Sequence, residues 1–205
     1  MSQPGPIRIF LASSNPGKLR EYRVLAGDSP IELALLPNFS EIPPFEETAP
    51  TFAENSAGKA LYYSRFAQGQ GLVLADDSGL VVPALGGAPG VYSARYAGPG
   101  ASDNDRVQKL LREMQRLEGN DRRARFVCVS SLARGGDMLA VVSDSAEGSI
   151  AKEARGGDGF GYDPVFFFQQ LGRTYAEITR EEKNQYSHRG KAFRKILAFL
   201  AGQKL

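Results

Sequence analysis

The order of apolar segments along the chain predicts an α/β fold, with a mixed sheet flanked by helices. Segments with strand and helix character alternate as β-α-β-α-β up to residue 82, and a helix, a hairpin, a Gly-rich loop, a strand and a final helix follow. Such alternation favours parallel strands covered by helices, while a hairpin adds an antiparallel pair. The 205 residues, of which 23% are charged, fit one globular domain or one that is divided into two lobes.

A short polar loop joins the first predicted strand to the first predicted helix. Residues 7 to 12 form a compact apolar run, and apolar residues recur at helical spacing after Lys18. Asn15 can cap this helix, and Pro16 suits its first position. A strand, a tight loop and a helix start place backbone N–H groups where they favour an anion.

Two further strands and a helix are predicted before residue 83. Residues 31 to 36 have strand character, and Thr51 begins a sequence with the form of a capping box, which predicts a helix. Residues 72 to 75 predict a short buried strand that ends at the sequence Asp76-Asp77-Ser78-Gly79, because Asp and Ser favour turns. Residues 80 to 82 can continue the sheet.

The second half of the chain predicts a helix, a hairpin and a closing helix. Ser102 starts a helix with a clear apolar face, and residues 124 to 133 and 138 to 145 predict an antiparallel hairpin turning at two glycines. A Gly-rich loop over residues 156 to 164 follows, and the last helix begins after Ser187. We interpret the basic run before the hairpin, which comprises Arg122, Arg123 and Arg125, as a solvated edge.

Charge and composition exclude several classes of protein. The 25 Lys and Arg against 23 Asp and Glu give a net charge of +2, so we expect no nucleic-acid or membrane partner. The single Cys128 lies in an apolar segment, and no apolar run approaches the length that spans a bilayer. We therefore expect a cytoplasmic protein, with residues 1 to 6 as a disordered tail and residues 7 to 205 as a single domain.

The polar residues of the predicted loops and element ends fall into two chemical sets. One set carries cations, amides and hydroxyls: Ser13, Asn15, Lys18, Lys59, Ser78, Lys183, His188 and Arg189. The other set carries carboxylates: Glu46, Glu47, Asp76, Asp77 and Asp163. Lysines and a helix start suit phosphates, whereas carboxylates suit Mg²⁺. Together the two sets predict a site for a metal-bound nucleoside triphosphate, although the Walker spacing is missing.

Six short motifs occur in unbroken order between residues 7 and about 200. They are Ser13-Ser14-Asn15-Pro16-Gly17-Lys18, the Glu46-Glu47-Thr48 segment with Thr51 to Asn55, Ala75 to Leu80, Gly86 to Tyr96, Gly159 to Pro164, and Thr179 to Lys183 with Ser187 to Gly190. In this combination the sequence resembles the inosine triphosphate pyrophosphatase family, the non-canonical purine nucleoside triphosphate pyrophosphatases. The visible departures are the extra N-terminal tail and a glycine, rather than a larger residue, at position 58.

The resemblance implies an activity and a subunit arrangement. It implies hydrolysis of ITP, dITP and XTP to the monophosphate and pyrophosphate with Mg²⁺, which cleanses the nucleotide pool. It also implies a homodimer of elongated subunits. Residues 7 to 205 would form a single two-lobed domain with an elongated mixed sheet and two lobes around a central substrate cleft. The segment from Tyr92 to Tyr96 is then interpreted as a dimer contact rather than a wall of the cleft.

The resemblance also assigns roles to individual residues. Asp77 would be the general base and a metal ligand, with Glu46 or Glu47 as the other metal carboxylate; we interpret Asp76 as structural. The triphosphate would bind to Ser13, Ser14, Asn15, Pro16, Gly17, Lys18, Lys59 and Ser78. The base would bind to Phe160, Gly161, Tyr162, Asp163, Lys183, His188 and Arg189.

Two other functions fit the same residues. A related pyrophosphatase for modified pyrimidine triphosphates would need a similar phosphate and metal site. A regulator that binds nucleotides without chemistry would keep the pocket, but it would gain nothing from acidic groups without a metal. The acidic residues at positions 46, 47, 76 and 77 therefore favour the enzyme.

Overall fold

The computed structural model describes residues 6–27, 29, 31–67 and 71–202. Within these ranges the chain forms a seven-stranded sheet of order β2-β1-β3-β4-β5-β6-β7 and five helices. The strands are β1 (Ile7–Leu11), β2 (Ile31–Leu35), β3 (Leu72–Val81), β4 (Arg123–Arg134), β5 (Asp137–Ile150), β6 (Phe166–Phe168) and β7 (Arg173–Thr174). The helices are α1 (Pro16–Ala26), α2 (Phe52–Ser64), α3 (Asp103–Glu113), α4 (Arg180–Tyr186) and α5 (His188–Ala201).

The pairing of the strands confirms the predicted mixed α/β fold. Strand β1 is parallel to both β2 and β3, whereas β5 with β6 and β6 with β7 are antiparallel. Only Gly135 and Gly136 separate β4 from β5, its neighbour in the sheet, and so short a connection is possible only between antiparallel strands. The predicted hairpin is therefore confirmed.

The chain divides into two compact units, each made of separate stretches of sequence. Unit 1 comprises the described parts of Met1–Asp77, Val129–Ser143 and Ala192–Leu205, and unit 2 comprises Ser78–Cys128 and Asp144–Lys191. The expected tail lies outside the described residues apart from Pro6.

The core of unit 1 follows the alternation of side chains along β1 and β3. Ile9 and Leu11 belong to a cluster with residues of α1 and α5, whereas Phe10 and Ala12 belong to a second cluster with residues of α2. Strand β3 alternates in the same way, since Leu72 and Leu74 join the first cluster and Val73 and Ala75 join the second. Successive side chains of a strand point to opposite faces.

The core of unit 2 is built around aromatic rings. Phe126 and Phe166 pack at 4.6 Å between ring centroids, and Tyr175 lies 4.8 Å from Phe166. Leu110 and Val107 of α3 belong to the same cluster, which agrees with the apolar face predicted for this helix. Ser102 and Asp105 form the capping box that begins α3.

The prediction of a solvated edge is wrong for Arg122. Its side chain is buried, and its guanidinium donates to the carbonyls of Met114, Leu117, Ile150 and Ala151 at 2.7 to 3.1 Å. Five rigid donors allow one guanidinium to satisfy several carbonyls, which explains why this charge can be buried. Arg123 and Arg125 are exposed, as predicted.

The predicted end of the third strand is also wrong. Strand β3 does not stop at Ala75 but continues to Val81, so Asp76 and Asp77 lie inside a strand rather than in a turn. Cys128 is buried in β4, as its apolar neighbours predicted. No helix in the described part of the chain has the length and apolar character needed to cross a membrane.

Candidate active site

The loop between β1 and α1 is held by short-range hydrogen bonds. Asn15 caps α1, because its Oδ1 accepts from the N–H groups of Gly17 at 2.9 Å and Lys18 at 3.2 Å. The Ser13 hydroxyl accepts from the Asn15 N–H at 3.2 Å. Pro16 is the first helical residue, and Ser14, Asn15 and Pro16 are exposed. The sequence therefore dictates a compact turn that starts the helix and leaves polar groups at the surface.

Lys18 connects this turn to the first acidic residue of β3, Asp76. Its Nζ lies 3.0 Å from Asp76 Oδ2 and 3.3 Å from the Asp76 carbonyl oxygen. Asp76 is fully buried, and it lies on the α1 side of the sheet because it continues the alternation of Leu72 and Leu74. This contact agrees with a structural role for Asp76.

Asp77 faces the other way, toward α2. Its Oδ2 accepts from Asn55 Nδ2 at 3.1 Å, and both side chains are buried. Burial raises the pKa of Asp77 to about 6, and the neighbouring Glu47 carboxylate adds to the rise. The ammonium groups of Lys18 and Lys59 and the Asn55 hydrogen bond oppose it. Asp77 is therefore a stronger base than an ordinary aspartate, yet it is mostly ionised at neutral pH.

Glu47 and Lys59 form an ion pair beside Asp77. The Lys59 Nζ contacts Glu47 Oε1, and the Lys59 side chain is buried. Burial lowers the pKa of Lys59, but the carboxylates of Asp76, Glu47 and Asp77 raise it above its usual value overall. Glu46, by contrast, is exposed. Of the two adjacent glutamates, Glu47 is the one that interacts with the buried charges.

The donor set around Asp77 fits Mg²⁺. No group of three His, Cys, Asp or Glu that could hold a metal occurs in the described ranges. Mg²⁺ is usually held by one or two carboxylates, with waters and substrate phosphates as the remaining ligands. Glu47 and Asp77 are two carboxylates close enough for one to raise the pKa of the other. A divalent cation would relieve that repulsion.

A second polar cluster lies in unit 2, where Asp163 and Lys183 form a buried ion pair. Lys183 Nζ lies 2.5 Å from Asp163 Oδ2, and the same oxygen accepts from the Phe160 N–H at 2.8 Å. Lys183 Nζ also lies 4.9 Å from the centre of the Phe160 ring. Gly159 has a φ of +80°, and a Cβ there would lie 2.2 Å from Asp163 Oδ2. Only glycine therefore fits this turn.

Arg189 and His188, at the start of α5, belong to the same unit. The Arg189 guanidinium donates to the Ser78 hydroxyl at 2.8 Å and lies 5.7 Å from the centre of the Phe160 ring. The His188 ring stacks on Phe126 at 4.7 Å with an interplanar angle of 11°. Both residues are buried, whereas Phe160 is half-buried. Ser78, expected among the phosphate-binding residues, thus contacts a residue expected to bind the base.

Two residues of the Gly-rich loop hold its backbone in place. Tyr162 is buried, and its hydroxyl donates to the Ser93 carbonyl at 2.9 Å. The Gly161 N–H donates to Asp103 Oδ2 at 2.7 Å. These contacts fix the loop that carries Phe160 and Asp163, and they leave the Tyr162 side chain in the core of unit 2.

The structure adds one residue that the sequence did not single out for a role, Asn55. It lies in the motif that begins at Thr51, but nothing in its spacing shows that α2 presents it to Asp77. The hydrogen bond between Asn55 and Asp77 forms because β3 continues through Asp77. The sequence predicted a turn there instead, since Asp and Ser favour turns.

Comparison with known proteins identifies the family. The model of the Ham1 family matches residues 9–199. The chain is 48% identical to a protein of Acidobacterium capsulatum named dITP/XTP pyrophosphatase, over 96% of this chain and 99% of the relative. It is 47% identical to a protein of the same name from Geobacillus kaustophilus, over 92% and 91% of the two chains.

Solved structures agree with this assignment. A HAM1 protein from Coxiella burnetii matches with a TM-score of 0.84 and 41% identity, and the match covers 96% of this chain and all of the other. A nucleoside-triphosphatase named dITP/XTP pyrophosphatase from Mycobacterium abscessus matches with a TM-score of 0.69 and 39% identity over 95% of this chain and all of the other. Sequence and fold lead to one conclusion: the chain belongs to the Ham1 family.

Proposed function

We propose that this protein hydrolyses ITP, dITP and XTP to the nucleoside monophosphate and pyrophosphate, and so cleanses the nucleotide pool. The observation that carries the proposal is the buried Asp77, whose pKa is raised to about 6 beside Glu47 and two lysines. Relatives that are 47% and 48% identical over more than nine-tenths of this chain carry the name dITP/XTP pyrophosphatase, which supports the same reaction here.

Unit 1 supplies groups suited to the triphosphate. The turn from Ser13 to Lys18, with Lys59, would bind the phosphate oxygens, because ammonium groups and a helix start favour negative charge. Asp77 and Glu47 would hold Mg²⁺, which supplies neutralisation of the phosphate charge when it is bound. The Glu47 carboxylate raises the pKa of Asp77, and this repulsion between two carboxylates supports binding of a cation.

Asp77 would act as the general base. At neutral pH its carboxylate is ionised, and it would accept a proton from the water that attacks the α-phosphorus in line with the departing pyrophosphate. The hydrogen bond from Asn55 fixes Oδ2 of Asp77 and thereby restricts where Oδ1 of the same carboxylate can point. Phosphoryl chemistry of this kind depends mainly on such positioning and on charge stabilisation.

Unit 2 supplies groups suited to the purine. A flat base could stack on the half-buried Phe160 ring, while Lys183, His188 and Arg189 would offer hydrogen-bond donors to the purine 6-oxygen. Adenine carries an amino donor at that position, so buried donors would be left unpaired with ATP. A site of this kind discriminates by roughly 10⁴ to 10⁵.

We also propose a homodimer located in the cytoplasm. The segment from Tyr92 to Tyr96 is the proposed dimer contact. Two observations support this role: Tyr92 is exposed for 57% of its surface, and the Arg95 guanidinium lies over its ring. Light scattering of the purified protein measures the oligomeric state, and a monomeric mass would contradict this proposal.

The decisive experiment measures pyrophosphate and orthophosphate released from ITP, XTP, ATP, GTP and dTTP, each with Mg²⁺ and with EDTA. We expect pyrophosphate only with the metal, and mainly from ITP and XTP. Cleavage of a modified dTTP or UTP without preference for ITP over ATP would indicate the pyrimidine enzyme instead. Thermal stabilisation by ITP without any product would indicate the regulator.

A further inference from the structure

One face of α2 holds the loop that carries Glu47. Tyr62 Oη donates to the Pro43 carbonyl at 3.0 Å, and the Phe45 N–H donates to Tyr63 Oη at 3.1 Å. Lys59, one turn earlier, contacts Glu47. Residues spaced by three or four along a helix share a face, so these contacts follow one stripe of α2.

The glycine at position 58 belongs to the same arrangement. A Cβ on Gly58 would lie 2.7 Å from Phe45 Cζ, so the ring occupies the space that a larger residue would fill. Phe45 and Gly58 are therefore complementary, and a larger residue at position 58 would displace the ring. The loop lies directly against the helix at this point.

Asn55 extends the stripe by one more turn and makes three hydrogen bonds. Its Oδ1 accepts from the Ala49 N–H at 3.0 Å, and its Nδ2 donates to the Ala49 carbonyl at 3.2 Å. The same Nδ2 donates to Asp77 Oδ2 at 3.1 Å. The side chain is 1% exposed. One amide therefore joins the loop of Glu47 to the carboxylate of Asp77.

The orientation of this amide is fixed by its partners. The Ala49 N–H can only donate, so it must face the Asn55 oxygen, and the NH₂ group must then face the two acceptors. A carboxylate in the same place would set an oxygen against the Ala49 carbonyl and against Asp77. An amide at position 55 is thus the group that satisfies all three contacts.

We propose that Asn55 is a positioning residue, which sets the placement of Asp77 relative to the loop of Glu47. Its side chain contacts Ala49 and Asp77, so it would act through the placement of the two carboxylates. This inference rests on the proposed function for its effect on turnover, but its structural part concerns only the contacts of Asn55 with Ala49 and Asp77.

The test compares three variants of the full chain. Asn55→Ala removes all three hydrogen bonds, and Asn55→Asp keeps the shape but replaces the donor by an oxygen. The matched control is Ser64→Ala on the same helix, about 13 Å further along its axis. Ser64 is equally buried, and its hydroxyl accepts from the Gly136 N–H at 3.0 Å and donates to the Leu61 carbonyl at 2.9 Å, so it ties α2 to a different loop.

Two readouts are measured under conditions where circular dichroism shows each variant fully folded. The first is kcat and KM for pyrophosphate release from ITP with Mg²⁺. We expect both Asn55 variants to lose about 10- to 100-fold in kcat with little change in KM, since a hydrogen bond to a charged group is lost. The Ser64 control keeps the wild-type kcat.

The second readout is hydrogen exchange of the Ala49 amide in the protein without metal or nucleotide. We expect faster exchange at Ala49 in Asn55→Ala and unchanged exchange there in Ser64→Ala, since only the first removes its acceptor. A merely structural role would lower the melting temperature while leaving kcat per folded molecule unchanged.

The outcomes separate this inference from the proposed function. Suppose that the wild type hydrolyses ITP and that both Asn55 variants have the same kcat as the control. This result would overturn the positioning role and leave the proposed function standing. Unchanged exchange at Ala49 in Asn55→Ala would overturn the claim that Asn55 holds the loop. A wild-type protein that releases no pyrophosphate would overturn the proposed function itself.

Discussion

Replacing Asp77 by asparagine is expected to abolish turnover and, at the same time, to stabilise the folded protein above pH 6. The loss of turnover follows from the proposed role as general base. The gain in stability follows from burial, which makes the ionised carboxylate unfavourable in the folded state, and from the nearby Glu47. An amide of the same shape carries no charge, and its oxygen can still accept the hydrogen bond from Asn55.

The size and pH range of this effect follow from the two pKa values of Asp77. The unfolded chain has the ordinary value of 3.8 and the folded protein has about 6, so the folded state binds the proton more tightly. The destabilisation is absent well below pH 3.8, grows as the pH rises, and is complete well above pH 6. A difference of about two units corresponds to about 3 kcal/mol, or roughly 6 to 12 °C in melting temperature for a chain of this size.

Urea unfolding of the wild type and of Asp77→Asn at pH 4 and at pH 8, in EDTA, measures this contribution. The free energy of unfolding of the variant should gain about 2.5 kcal/mol relative to the wild type between the two pH values, because a small part of the effect is already present at pH 4. Any difference that is constant with pH reflects packing or hydrogen bonding and cancels. If the variant and the wild type changed in parallel over this range, the reasoning about Asp77 would be refuted.

Three further substitutions test other parts of the molecule. Arg122→Met should lower the free energy of unfolding in urea by more than about 3 kcal/mol, because buried carbonyls lose their donor. The kcat per folded molecule should stay the same. A smaller loss of stability would contradict the view that Arg122 stabilises the fold through these carbonyls. Gly159→Ala should raise the KM for ITP by about 10-fold, since its Cβ would displace Asp163. Gly157→Ala is the control and should leave the KM unchanged, because the space around Gly157 is open. Equal effects of the two substitutions would exclude displacement of Asp163 as the cause. Arg189→Ala should reduce kcat/KM for ITP far more than for ATP, and equal losses on the two substrates would show that Arg189 does not read the base.

Much of the fold could be predicted because the local signals agree with the tertiary contacts. Residues 9 to 12 form an unbroken apolar run, as expected for a strand buried on both faces, and the structure places β1 between β2 and β3. Asn15 and Thr51 accept hydrogen bonds from N–H groups that lie two or three residues later, so their caps depend only on local sequence. The boundaries of such elements can be predicted from the residues near them.

The acidic part of the site could not be placed from sequence, because its structure depends on distant partners. Asp is rare in strands, yet β3 continues through Asp76, which contacts Lys18, and Asp77, which contacts Asn55. Helix α4 was missed for a different reason, since seven residues give too short a pattern to recognise. Glu47 differs from Glu46 because it forms an ion pair with Lys59, and the sequence does not show that α2 places Lys59 beside it.

The division of the chain into interrupted segments limits how the protein can be dissected. Unit 1 uses three stretches of sequence and unit 2 uses two, so separating them would require breaks near residues 77, 128, 143 and 191. No truncation from either end yields one intact unit, and a fragment ending at Asp77 would lack the stretch of β4 and the part of α5 that complete its core. Domain exchange with another enzyme would face the same obstacle. A new substrate preference is therefore more accessible through point changes within the existing chain than through recombination of whole segments.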